Sequence, residues 1–191
     1  MGKLIVQQFV SADGFAANSQ NKFDAVGGEL GNTPEFDLDL IERLKPVSGI
    51  VLGRATYDLF AAYWPTPASD DQLVAPALND LPKHVFSNTI DEAPWGDFDC
   101  AEVHAGDAIA NVRRLKDELP GDLILWGSLT LANTLFEAGE VDEVRLGVVP
   151  VALGAGRTVF PEGFARTRFE LISVEQFDQG IVALEYGVLR T

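Results

Sequence analysis

The sequence is poor in cysteine and histidine. Its 191 residues include one cysteine, Cys100, and two histidines, His84 and His104. A single cysteine cannot form an internal disulfide or a cysteine-based metal cluster, and it is typical of a protein from a reducing compartment. The two histidines are far apart in the sequence and lack the spacing of ligand pairs. We therefore interpret both as strand residues and predict no metal site.

Basic residues are also scarce. The chain has 14 Lys and Arg against 29 Asp and Glu, a formal net charge of −15 at pH 7. Such a surface repels nucleic acids and anionic lipids, so we expect neither as a partner. No apolar run approaches the ~18 residues of a membrane span, and Gln7 and Gln8 interrupt the first apolar run before a signal-peptide core forms. We expect a cytoplasmic protein that holds any anionic ligand through local donors.

Strand and helix patterns alternate along the chain, which predicts one α/β domain over residues 1–191. The predicted strands are residues 4–10, 47–53, 83–87, 100–103, 123–126, 143–149, 169–176 and 181–189. Helices are predicted to begin near Thr33, Arg54, Gln72, Asp107 and Ser128. Gln179-Gly180 is the expected turn of an antiparallel C-terminal hairpin. The loop 11–32 has the length of a functional or disordered segment.

One carboxylate stands where folding alone would favour leucine. Thr33-Pro34-Glu35 opens a helix, and Asp37 falls on its apolar stripe with Leu40, Ile41 and Leu44. The polar residues expected to point away are Asp39, Glu42 and Arg43. Burying an unpaired carboxylate costs several kcal/mol, roughly, so a functional role for Asp37 is favoured over a purely structural one.

Two strand-to-helix turns are suited to binding phosphate. Gly53-Arg54-Ala55-Thr56 follows one predicted strand, and Gly127-Ser128 repeats the arrangement after another. Helix N-termini favour anions, and open α/β sheets bind ligands at the carboxyl ends of their strands. Either glycine alone could simply permit a tight turn, whereas the two together favour a dinucleotide. We interpret Leu153-Gly154-Ala155-Gly156-Arg157 as a structural turn, because the third glycine of a dinucleotide fingerprint is missing.

Several motifs carry a resemblance to a known family. They are Ser11-Ala12-Asp13-Gly14-Phe15, Leu52-Gly53-Arg54-Ala55-Thr56-Tyr57, Phe86-Ser87-Asn88, Gly127-Ser128-Leu129, Gly139-Glu140-Val141-Asp142-Glu143 and Pro150-Val151-Ala152-Leu153-Gly154-Ala155-Gly156. Over nearly its whole length the chain resembles the dihydrofolate reductase superfamily, closest to the C-terminal reductase domain of riboflavin biosynthesis (RibD) and its stand-alone relatives. The resemblance implies a three-layer α-β-α fold with a mostly parallel central sheet and an antiparallel C-terminal hairpin.

The resemblance also implies NADPH-dependent hydride transfer to a small heterocycle, such as a ribosylamino-pyrimidine, in a homodimer. The implied cofactor-binding residues are Ala16 near the nicotinamide, Gly53, Arg54, Ala55 and Thr56 at the pyrophosphate, Ser87 and Asn88 near the 2′-phosphate, and Gly127, Ser128 and Leu129. Asp37 matches the family's pterin-binding acid and is the implied catalytic residue. Tyr57, Trp64 and Trp126 are candidates for an aromatic wall around a planar substrate, with Tyr57 and Trp126 as predicted substrate-binding residues.

Departures from the family pattern leave the substrate open. Leu81-Pro82 is followed by Lys83 and not by the arginine that grips folate, and Trp126 replaces the acid that riboflavin-pathway domains carry before the glycine. Those domains also have Asp-Asp-Pro where this chain has Leu59-Phe60-Ala61. No arginine adjoins Ser87-Asn88 in the sequence, so NADH stays possible beside NADPH. The alternatives are dihydrofolate reductase-type activity and a non-catalytic nucleotide-binding protein.

Overall fold

The computed structural model describes residues 2–20, 22 and 34–190. Nine strands form one sheet in the order β10-β11-β8-β1-β7-β3-β4-β6-β5. Their bounds are β1 Leu4–Ser11, β3 Val47–Gly53, β4 Lys83–Phe86, β5 Ala93–Trp95, β6 Phe98–His104, β7 Asp122–Trp126, β8 Glu143–Val149, β10 Arg168–Gln176 and β11 Val182–Leu189, while β2 Phe15–Ala17 and β9 Arg157–Thr158 form a separate antiparallel pair.

The centre of the sheet is parallel and its margins are antiparallel. Strands β8, β1, β7, β3, β4 and β6 run parallel to one another. The hairpin β10–β11 joins β8 antiparallel, and β5 joins β6 antiparallel. The predicted mostly parallel sheet with an antiparallel C-terminal hairpin is confirmed, and Gln179 and Gly180 turn it with φ of 61° and 78°.

In the described part of the chain, five α-helices cover the two faces of the sheet. They are α1 Pro34–Leu44, α2 Arg54–Ala61, α3 Ala75–Asp80, α4 Ala108–Glu118 and α5 Leu129–Glu137, with a short 3-10 turn at Pro67–Ser69. The strands alternate their buried side chains between the layers: Leu4 and Val6 pack in the core with α4 and α5, and Ile5 packs with α1, α2 and α3. This is the expected α-β-α arrangement.

Most predicted elements are confirmed, and their ends have local causes. Asp107 caps α4 by accepting hydrogen bonds from the N–H groups of Ile109 and Ala110. Gly139, with φ of 70°, follows the end of α5. The helix expected over residues 72–80 begins only at Ala75. The predicted start of α1 at Thr33 and the 23–32 part of the long loop lie outside the described residues.

Asp39 and Arg43, which were expected to point away from the apolar stripe of α1, do not lie in solvent. Both are half-buried beneath the C-terminal hairpin, where the Arg43 guanidinium donates to Asp39 at 2.6 Å, to Glu175 at 2.6 Å and to Glu185 at 2.5 Å. Helical periodicity cannot reveal this packing, because the hairpin arrives from the far end of the chain. Glu42 is exposed, as expected.

The segment after β1 is held by the glycine-rich turn near residue 155. The Asp13 carboxylate accepts hydrogen bonds from the Ser11 hydroxyl at 2.5 Å and from the backbone N–H groups of Gly154 and Leu153, at 2.7 and 3.1 Å. The Ser11 bond first, and then the two backbone bonds, lower the Asp13 pKa to about 2. A Cβ on Gly156 would lie 1.9 Å from the carbonyl oxygen of Ala17. The interpretation of this glycine motif as a structural turn therefore has a physical basis. Among the described residues, no helix is long and apolar enough to span a membrane.

Candidate functional site

A cleft of about 1280 Å³ lies at the carboxyl ends of the parallel strands. Gly53, Phe86, His104 and Trp126, each the last residue of its strand, all line it. Sites for one small molecule usually measure roughly 300–1,000 Å³. This cleft therefore has room for two ligands side by side.

Nearly all predicted site residues line this one cleft. They are Ala16, Asp37, Gly53, Arg54, Ala55, Thr56, Ser87, Asn88, Trp126, Gly127, Ser128 and Leu129, together with the aromatic candidate Trp64. Tyr57 is the exception among the described residues. It is buried behind the cleft, where its hydroxyl donates to the carbonyl oxygen of Pro94 at 2.8 Å. The structure does not bring Tyr57 together with the other predicted residues.

The two phosphate-type turns are hydrogen-bonded to each other. The backbone N–H of Gly53 donates to Ser128 Oγ at 2.7 Å. In return, the N–H and the hydroxyl of Ser128 both donate to Thr56 Oγ1, at 2.8 Å each. Strands β3 and β7 are neighbours in the sheet, which puts the turns within reach. The sequence motifs gave no indication of this direct connection.

Unusual backbone geometry keeps the turns close. Gly127 and Ser128 have φ of 59° and 54°, in the left-handed region that costs a residue with a side chain roughly 1–2 kcal/mol. A Cβ on Gly127 would lie 2.8 Å from the Thr56 side chain, and one on Gly53 would lie 3.0 Å from Ser128 Oγ. Such strain persists where the surroundings fix it, and it is typical of functional sites.

Helices α2 and α5 begin at these turns, and neither has a side chain capping its first backbone N–H groups. Uncapped N-termini and the helix dipole favour a bound anion. Arg54 adds a guanidinium at the start of α2, paired with Asp58 at 2.8 Å. The donors therefore fit the pyrophosphate of a nicotinamide dinucleotide. We call the part of the cleft lined by residues 53–56, 86–89, 104–108 and 127–131 the cofactor half.

Beyond the turns, the cofactor half ends in a polar loop. Asn88 Oδ1 accepts a hydrogen bond from the N–H of Gly106 at 2.7 Å, which joins the loops after β4 and β6. The hydroxyls of Ser87 and Thr89 lie 3.1 Å apart. Asp91 and Glu92 are exposed, as expected for solvated surface.

The two histidines, although distant in sequence, meet beside this end of the cleft. Strands β4 and β6 are parallel neighbours, and His84 Nδ1 lies 3.0 Å from His104 Nε2. Arg114 of α4 lies 3.1 Å from His104 Nδ1. Since a guanidinium can only donate, a consistent set of bonds runs from Arg114 to His104 and from His104 to His84. We call these three side chains the histidine relay.

Burial favours the neutral form of both histidines in the relay. It lowers the pKa of His84 to about 4, and it lowers that of His104 as well. Glu102 lies on the exposed side, 3.5 Å from His84 Nδ1. The hydrogen bonds of the relay occupy ring nitrogens that a metal ion would need as ligands. That the histidines are strand residues is confirmed, and the absence of a metal site stays a prediction. The proximity of the two histidines follows from the register in which β4 pairs with β6, which the sequence does not show.

Asp37 lies in the other part of the cleft. It is 8% exposed, and Val74 N–H is a distant donor, 3.4 Å from Asp37 Oδ2. Burial raises the pKa of Asp37 above its usual value, because desolvation disfavours the charged form and outweighs the backbone donors Val74 and Leu73. A carboxyl group in this state is suited to giving up a proton at a bound ligand.

Aromatic rings line the same cleft as Asp37. The rings of Phe9 and Phe36 are 5.3 Å apart, and Phe60 lies 6.1 Å from both Trp64 and Trp126. Trp64 and Trp126 were expected here, whereas Phe9, Phe36 and Phe60 were not, because they come from three separate elements. We call this part the substrate half; its described residues are Gln7, Phe9, Phe36, Asp37, Leu40, Phe60, Tyr63, Trp64, Gln72, Val74, Leu78, Trp126 and Ile181.

Comparison with known proteins relates this architecture to a reductase fold. A structure from Shewanella sp. PV-4 named for riboflavin biosynthesis matches with a TM-score of 0.73 and 24% identity, covering 98% of this chain and 99% of that one. Dihydrofolate reductase from Enterococcus faecalis, complexed with NADP(H), matches with a TM-score of 0.61 and 14% identity, covering 99% and 98%. Both likenesses show the fold.

Sequence comparison gives the family. The uncharacterized protein YyaP of Bacillus subtilis (strain 168) is 27% identical over 188 residues, 96% of this chain and 94% of that protein. The model of the RibD C-terminal domain matches residues 2–183. Together with the fold and the cleft, this match leads to one conclusion: the chain belongs to the RibD C-terminal domain family.

Proposed function

We propose that the protein is an NADPH-dependent reductase that transfers hydride to a small planar heterocycle of the pyrimidine type. The observation that carries the proposal is the placement of a buried carboxyl, Asp37, in the same cleft as two hydrogen-bonded phosphate-type turns. Family membership and the reductase fold support it.

In this proposal each half of the cleft has a separate task. The turns at Gly53 and Gly127 hold the pyrophosphate through backbone N–H groups, and Arg54 adds charge. When bound, the cofactor supplies the hydride from its nicotinamide ring. Asp37 would hydrogen-bond the substrate ring and deliver a proton to the atom next to the hydride acceptor, so the ring would gain a hydride from the cofactor and one proton from Asp37, which solvent then reprotonates. The aromatic rings exclude water and align the heterocycle.

We further propose a preference for NADPH over NADH. Arg114 reaches from α4 to His104, whose ring lines the cofactor half. This guanidinium is a cation that the sequence near Ser87-Asn88 does not reveal. It is paired with Glu118 at 2.6 Å and is not part of the described lining of the cleft, so the proposal has it exchange Glu118 for a 2′-phosphate. Replacement of Arg114 by Ala is expected to weaken NADPH binding more than NADH binding.

Consumption of reduced cofactor tests the reductase proposal. The candidate acceptors are aminopyrimidine ribosides and dihydrofolate, each supplied with NADPH and enzyme. Reduction of the pyrimidine that depends on Asp37 supports the proposal. Reduction of dihydrofolate alone would assign the folate-type activity, and cofactor binding without reduction of any acceptor would favour a non-catalytic nucleotide-binding protein.

We also propose a homodimer formed through β10. This strand is an edge of the sheet, and Leu171, Ile172 and Val174 on it are more than half exposed. An apolar edge strand is a template for pairing with another chain, and an identical β10 offers a matching apolar surface. Light scattering should give the mass of a dimer for the wild type and of a monomer for Ile172→Glu; a wild-type monomer would contradict the proposal.

A further inference from the structure

We infer that the substrate half selects an uncharged planar heterocycle with a ring carbonyl, not a phosphate ester, and that Trp126 recognises this carbonyl. The inference rests on the proposed reductase function and concerns its substrate class. It depends on two independent observations: the described lining of the substrate half has no cationic side chain, and the indole N–H of Trp126 has no hydrogen-bond partner among the described residues.

The lining of the substrate half offers no cation to a phosphate. None of the described residues defined above as this half is Lys, Arg or His. The basic residues among the cleft's described lining, Arg54 and Arg157, contact Asp58 and Thr130, and both partners belong to the helices that begin at the turns. A phosphate dianion in the substrate half would instead meet Asp37.

The helix that carries Asp37 does not supply the missing charge. Arg43, on the same helix as Asp37, is engaged by three carboxylates. The net charge of −15 adds long-range repulsion of a dianion. An uncharged ligand avoids this cost, so the electrostatics favour it.

Trp126 has a buried donor that lacks a partner. The residue is 7% exposed and lines the cleft, and its Nε1 makes no hydrogen bond within the described part of the chain. Trp95 shows the usual situation, since its Nε1 donates to Asn79 Oδ1 at 2.8 Å. Buried indole N–H groups normally find an acceptor, and an unsatisfied one is unfavourable. The Nε1 atom is closed to solvent in this structure, so a ring carbonyl of the substrate reaches it once a neighbouring side chain moves aside.

Matched ligands test the charge selection. Protein saturated with NADP⁺ is titrated by calorimetry with a ribosylated aminouracil and, separately, with its 5′-phosphate. We expect the neutral compound to bind at least about tenfold more tightly. Equal or tighter binding of the phosphate, or binding of neither compound, would overturn the inference. NADP⁺ binding is measured first, by titration of the protein alone. Absence of NADP⁺ binding would reject the proposed reductase function, so the two failures are distinguishable.

Trp126→Phe tests the role of the indole N–H. The variant keeps an aromatic ring, and its affinity for the dioxopyrimidine should fall about 5- to 10-fold, as expected for one hydrogen bond. The dioxopyrimidine has two ring carbonyls, and two analogues each lack one of them. The analogue that lacks the carbonyl recognised by Trp126 should bind equally to the wild type and to the variant. Trp64→Phe is the matched control and should show no such dependence on the carbonyl. An equal loss for every ligand, or no loss, would contradict recognition by Trp126.

Discussion

The two halves of the cleft are built in opposite ways. In the cofactor half, Gly53, Thr56 and Ser128 are hydrogen-bonded to one another, and the backbone supplies the donors. In the substrate half, Asp37 is contacted by the backbone donors of Val74 and Leu73, the first of them 3.4 Å away, and Trp126 Nε1 has no partner among the described residues. In the cofactor half the turns hold each other in place and leave the first N–H groups of α2 and α5 uncapped for an anion, whereas the substrate half has a side-chain donor without a partner among the described residues.

This difference separates what the family shares from what distinguishes this chain. A pyrophosphate is the same in every dinucleotide, so a rigid set of backbone donors can bind it in all members of a fold. A substrate is recognised by individual side chains, and we propose that Trp126, where the resemblance implies an acid, changes the class of substrate. The predictions below perturb one half and measure the effect in both.

Asp37→Asn should produce the largest effect and should be confined to the substrate half. The amide preserves size but cannot deliver a proton, so we expect the turnover rate to fall about 100-fold or more. In the wild type, the rate should fall with increasing pH above the raised pKa of Asp37, because the carboxyl then loses its proton.

NADPH affinity, measured by fluorescence, should be the same in Asp37→Asn as in the wild type. Glu35→Gln, an exposed change on the same helix, is the matched control and should leave the rate unchanged. A rate for Asp37→Asn within about twofold of wild type would remove Asp37 from the mechanism.

Gly127→Ala should break the cofactor half. Its φ of 59° strains any side chain, and the added Cβ would lie 2.8 Å from Thr56. We expect NADPH to bind at least about tenfold more weakly. The control is Gly139→Ala, where φ is 70° but nothing lies within 4 Å of the added Cβ; it should lower stability by about 1 kcal/mol without changing NADPH affinity. Equal affinities in both variants would contradict the prediction.

Thr56→Val tests the hydrogen bonds that join the turns. The change preserves shape but leaves the Ser128 N–H and hydroxyl without their acceptor. We expect the free energy of unfolding to fall by about 1–3 kcal/mol and NADPH binding to weaken about fivefold. Thr167→Val, at an exposed hydroxyl that contacts Ala165, should change neither quantity. Urea denaturation and fluorescence titration measure the two effects.

The histidine relay predicts a modest loss of stability in acid. The folded-state pKa of His84, about 4, lies below its ordinary value of 6.5, so the unfolded chain takes up a proton first as the pH falls. The stabilisation is therefore present above pH 6.5 and is lost towards pH 4, by about 1 kcal/mol between pH 7 and 5.5. His84→Gln should flatten this dependence in urea denaturation; an unchanged profile would exclude the relay as its source.

The sequence predicted the cofactor half better than the substrate half for a physical reason. Glycine turns such as Gly53 and Gly127 act through backbone geometry, which local sequence encodes directly. Asp37 was also recognisable, because a carboxylate on an apolar helical face is locally anomalous. In contrast, the meeting of Phe9, Phe36 and Phe60 depends on which strands and helices become neighbours.

The pairing of elements that are distant in the chain also explains the contacts outside the cleft that sequence reasoning missed. His84 meets His104 only because β4 pairs with β6, and Arg43 meets Glu175 and Glu185 only because the hairpin packs over α1. These contacts join residues distant in the chain, and no local periodicity distinguishes them from exposed positions.

The most direct measurement is titration of the wild-type protein with NADPH and, separately, with NADH, following quenching of tryptophan fluorescence. Trp64 and Trp126 line the cleft and should report occupancy. We predict saturable quenching by NADPH, weaker binding of NADH, and loss of the NADPH response in Gly127→Ala but not in Gly139→Ala. If neither nucleotide quenches the fluorescence nor binds by calorimetry, the joined turns are structural only and the reductase proposal is wrong.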